Sequence, residues 1–94
     1  MWSDMTGRNA AARILVVDDM PANLEVISGF LASAGYENVV AVTSPVQGLD
    51  LLGSFEPDIV LLDFRMPAMD GAAFLREAGR RFPAGIPPAL GITA

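Results

Sequence analysis

Short, wholly apolar β-type runs alternate with segments of helical period, and this pattern most narrows the folds open to the chain. The expected strands are Arg13 to Val17, Val39 to Val42, Asp58 to Asp63 and Ala89 to Thr93. Ile14-Leu15-Val16-Val17 and Ile59-Val60-Leu61-Leu62 are apolar on both faces, as in strands covered from two sides. Between the strands, three sets recur at helical spacing: Leu24, Ile27, Leu31 and Ala34; Val46, Leu49, Leu52 and Phe55; Phe74, Leu75, Ala78 and Phe82. The boundaries carry their own signals. Pro21 suits a first helical turn, Gly35 a left-handed stop, Ser44 with Pro45 a capped start, Pro57 an ending and Asp70 a further cap. Ala84 to Pro88 is a Gly/Pro-rich turn. The order βαβαβαβ predicts one α/β domain, a doubly wound parallel sheet with helices on both faces.

Composition removes whole classes of function. A chain of 94 residues suffices for one domain, and 52% apolar with 18% charged content is that of a folded protein. The net charge of −5 argues against direct nucleic-acid binding, and no apolar run approaches membrane-spanning length. With no cysteine and no histidine, disulfides, thiolate metal sites and imidazole bases are excluded. All basic residues are arginine, so the chain has no lysine. Residues 1–12 read as a flexible N-terminal arm without an export signal, which points to the cytoplasm.

The chemistry sits where strands end. Asp18 and Asp19 close one apolar run and Asp63 closes another. In a parallel sheet, ligands bind at the carboxyl ends of the strands, so the three carboxylates are expected at one edge. Carboxylates about 4 Å apart repel by roughly 4 kcal/mol per pair at an effective dielectric near 20. A bound cation offsets that repulsion, and oxygen-only ligands suit Mg²⁺. Phosphoryl transfer to a carboxylate needs an in-line nucleophile, a metal and a donor to the remaining oxygen. Asp63 fits the nucleophile. Asp19, helped by Asp18 through water, fits the metal-holding role, with the Arg65 backbone carbonyl as a further oxygen. The Thr93 hydroxyl fits the donor.

Asp18-Asp19, the run Ile59 to Asp63, the loop Met66-Pro67-Ala68-Met69-Asp70-Gly71 and the pair Thr93-Ala94 together resemble the receiver domain of two-component response regulators. The resemblance runs from about residue 13 to residue 94. It implies a flavodoxin-like fold with strand order 2-1-3-4 for the four strands present. It also implies a signalling switch, not an enzyme, that takes a phosphoryl group from a histidine kinase or phosphotransfer protein onto Asp63. By the same resemblance Asp18, Asp19 and Asp63 form the Mg²⁺ site, Thr93 and Ala94 belong to the phosphoryl-sensing switch, and Met66, Pro67 and Gly71 match the loop and helix start.

The family pattern continues beyond four strands. A fourth helix, a fifth strand bearing a lysine, and a fifth helix are not found in residues 13–94, and the aromatic partner of Thr93 is missing with them. The expectation is a partial receiver, either a fragment of a longer regulator with an output domain or a chain completed by a partner. Roughly 25–30 further residues would complete a domain of typical size. The competing expectation is a phosphorylation-independent interaction or assembly module, a homo-oligomer included, because a bare fourth strand invites pairing. A phosphoaspartyl hydrolase ranks below both. Such enzymes place two acids two residues apart on one strand, whereas Asp18 and Asp19 are adjacent.

Overall fold

The computed structural model describes residues 10–92. Four parallel strands, β1 (Arg13–Val17), β2 (Asn38–Val42), β3 (Ile59–Asp63) and β4 (Ala89–Ile92), form one sheet in the order β2-β1-β3-β4. The helices between them are α1 (Pro21–Ser33), α2 (Pro45–Ser54) and α3 (Gly71–Arg81). The expected fold class and strand order are those observed.

The period-2 geometry of a strand sorts the core into two layers. Leu15 and Val17 of β1, with Val60 and Leu62 of β3, face Leu49 and Leu52 of α2 and Phe74 and Ala78 of α3. Ile14 and Val16 point the other way, onto Leu24 and Leu31 of α1. β1 is thus buried on both faces, which explains its uninterrupted apolar run. Each fully buried Val, Leu or Phe contributes about 1.5–3 kcal/mol of apolar transfer free energy.

Local signals set the boundaries. The Ser44 hydroxyl accepts the Gln47 N–H at 3.2 Å, and the Asp70 carboxylate accepts the Ala73 N–H at 2.8 Å. α1 ends in a Schellman motif. Gly35, at φ 95°, donates to the Ala32 carbonyl at 3.1 Å, and the Tyr36 N–H reaches the Leu31 carbonyl at 3.0 Å.

Several expected details are corrected. Val46 is 55% exposed, because the buried stripe of α2 runs through Pro45, Gly48, Leu49 and Leu52. Ala34 is exposed, because the Schellman turn brings Tyr36 against the α1 layer in its place. Asp58 precedes β3, where its carboxylate accepts the Arg13 N–H at 2.8 Å and its own N–H donates to the Arg13 carbonyl at 2.7 Å. β2 begins one residue earlier than expected, at Asn38. Of the N-terminal arm, Ala10 and Ala11 are helical, and the Ala10 carbonyl accepts the Asn38 side-chain N–H at 2.7 Å. Ala12 leads without regular structure into β1, and residues 1–9 lie outside the described residues.

Candidate functional site

Strand register brings the acidic residues together. Val17 of β1 pairs with Leu62 of β3, so the next residues along, Asp18 and Asp63, emerge side by side at the carboxyl edge. Asp19 follows in the same turn. One carboxylate oxygen from each of Asp18, Asp19 and Asp63 lies within 4.8 Å of the others.

The three differ in how they are held. Asp18 is buried at 2% exposure, and its backbone N–H donates to the Val42 carbonyl at 3.2 Å. Its Oδ1 accepts the Met20 N–H at 3.0 Å and its Oδ2 accepts the Asn23 amide at 3.1 Å. Asp63 is half-buried, and its Oδ1 accepts the Arg65 N–H at 2.9 Å. Asp19 is also half-buried, and among the described residues no donor reaches its carboxylate. Nor does a basic side chain pair with any of the three among the described residues; the ion pairs there join Arg80 and Arg81 to Glu77, and Arg81 to Asp50. Hard oxygens with lone pairs to spare and no protein counter-charge suit a divalent cation such as Mg²⁺.

The loop after Asp63 is pinned from below. Met66 is 2% exposed and packs into the core beneath α2 and α3, while Pro67 faces solvent. Gly71 is buried at the first position of α3. Thr93 and Ala94 lie outside the described residues. Sequence reasoning missed Asn23, whose amide fixes Asp18. The signal was available, since a short amide in the first turn after an acidic strand end can reach back to it.

Residues 14–94 match the response regulator receiver domain family. The chain belongs to that family. This receiver is 32% identical over 94 residues to hybrid signal transduction histidine kinase H of Dictyostelium discoideum, covering 97% of this chain and 7% of that protein. It is 42% identical over 67 residues to the response regulator PleD of Caulobacter vibrioides, covering 71% of this chain and 14% of that protein. The chain therefore spans a small part of the curated relatives it matches. Among solved structures, the receiver domain of the histidine kinase CKI1 from Arabidopsis thaliana, complexed with Mg²⁺, superposes with a TM-score of 0.78 at 27% identity. That match covers 87% of this receiver and 67% of that chain. Chemotaxis protein CheY4 of Vibrio cholerae gives a TM-score of 0.76 at 27% identity, over 88% of this receiver and 71% of that chain.

Proposed function

We propose that this receiver accepts a phosphoryl group on Asp63 and acts as a two-component signalling switch, with no catalytic turnover of its own. The observation that carries the reading is the convergence of Asp18, Asp19 and Asp63 within 4.8 Å, with no basic side chain paired to them among the described residues. Asp18, Asp19, Asp63 and the Arg65 carbonyl would hold Mg²⁺, which supplies positive charge against the phosphoryl oxygens. The donor is a histidine kinase or phosphotransfer protein. In the transfer an Asp63 carboxylate oxygen forms a bond to phosphorus as the phosphorus–nitrogen bond of the donor phosphohistidine breaks, and the imidazole leaves with the electron pair.

The residues divide the work by their surroundings. Asp18 is held by two hydrogen bonds and stays in place, Asp19 keeps its oxygens free for the cation, and the Arg65 N–H aims Asp63. The Thr93 hydroxyl is the proposed donor to the phosphoryl oxygen, with Ala94 beside it in the switch. The setting we assign is the cytoplasm, where phosphohistidine donors and Mg²⁺ meet; among the described residues no helix is long and apolar enough to cross a membrane. Incubated with acetyl phosphate and Mg²⁺, the wild-type protein gains one phosphoryl mass and Asp63→Asn gains none. Equal labelling of both would remove Asp63 as the acceptor.

A further inference from the structure

Phe64 stands between the two residues whose hydrogen bond shapes the acceptor end of β3. Asp63 Oδ1 accepts the Arg65 N–H at 2.9 Å, and the Phe64 carbonyl accepts the Gly71 N–H at 3.4 Å. The ring rests on the bare backbone of two glycines from different elements. A methyl group on Gly71 would stand 2.5 Å from Phe64 Cγ and Cδ1 and 2.9 Å from its Cα. A methyl group on Gly91, in β4, would stand 3.3 Å from Cδ1 and Cε1.

Phe64 is nevertheless 41% exposed. A phenyl ring left that far in water forgoes much of the stabilisation that burial gives. Its placement is explained better by geometry than by core energy. Carbonyl and ring together fix the backbone at residue 64, and that backbone sets the turn which aims Asp63.

We propose that Phe64 is a positioning residue for Asp63, a wedge seated on α3 and β4 whose space Gly71 and Gly91 leave open. The proposal rests on the reading of Asp63 as acceptor, and its test separates the two. Three quantities are measured on the full chain: hydrogen exchange of the Arg65 amide, the rate of phosphoryl uptake from acetyl phosphate with Mg²⁺, and the melting temperature.

Phe64→Ala should speed Arg65 exchange and slow uptake by about tenfold or more, and Gly91→Ala, whose methyl displaces the ring by only a few tenths of an ångström, should move both in the same direction by less, with melting temperature little changed in either. Combining Phe64→Leu with Gly91→Ala should return both quantities to the level of Phe64→Leu alone, since the smaller side chain clears the new methyl. The same change should not rescue Gly71→Ala, whose methyl also meets the Phe64 backbone. Wild-type exchange and uptake in both single variants would overturn the proposal, as would losses that only follow the melting temperature. If the wild type takes up no phosphoryl group, the acceptor reading fails, and Arg65 exchange alone decides whether the wedge exists.

Discussion

Charge and hydrogen bonding divide the acidic residues at the site. Asp18 has both oxygens engaged, Asp63 has one, and Asp19 has none among the described residues. Asp19 therefore carries repulsion with no compensating bond. Asp19→Asn should stabilise the metal-free protein by about 1 kcal/mol, a fraction of the pairwise repulsion expected near 5 Å. It should also weaken Mg²⁺ binding at least tenfold. Urea melts with and without Mg²⁺ check both effects; a variant less stable than wild type without metal would contradict the argument. Asn23 acts one step back, through Asp18. Asn23→Ala should lower Mg²⁺ affinity by about 10- to 100-fold, the range for groups that orient a metal-holding side chain. Isothermal titration measures this, and unchanged affinity would mean that Asp18 needs no such anchor.

At the scale of elements, α2 and α3 are joined by a surface ion network as well as by the core. Glu77 receives Arg80 at 2.6 Å and Arg81 at 3.0 Å, and Arg81 also reaches Asp50 on α2 at 3.2 Å. The hydrogen bonds from Arg80 first, and then Arg81, lower the Glu77 carboxyl from 4.5 to about 2. The folded value lies below the unfolded one, so the network's stabilisation is present above pH 4.5 and fades as pH falls through about 2. Glu77→Gln should flatten the acid limb of stability over that window and leave the slope near neutrality unchanged. The network is exposed, so salt should shrink the difference. Melting temperatures from pH 2 to pH 7 in low and high salt test this.

For the whole molecule, the uneven cover of the sheet matters most. α1 packs over β1 and β2 through Leu24 and Leu31, and β4 lies at the far side of the same sheet. Leu90, paired with Leu61, is left 57% exposed there. An exposed apolar strand at a sheet edge favours pairing with another chain. The isolated 94-residue chain should therefore associate with rising concentration, and Leu90→Lys should reduce that association. Light scattering of both proteins decides, and a wild type that stays monomeric would place the edge outside any self-association.

The alternation of strands and helices, the caps at Ser44 and Asp70, and the left-handed stop at Gly35 were legible from residue order, because each depends on local backbone preference. So was the presence of three strand-end acids, since a parallel sheet sends its strand ends to one edge. Spacing alone misplaced Val46 and Ala34. An apolar residue at the rim of a helical stripe is buried or exposed according to what packs against that rim, and Pro45 and Tyr36 took the covered positions. Register between β1 and β3, two segments more than forty residues apart, put Asp18 beside Asp63. The anchoring of Asp18 by Asn23 and the seating of Phe64 on Gly71 and Gly91 likewise required the folded chain, because they are distances between separate elements and no one-dimensional pattern encodes them.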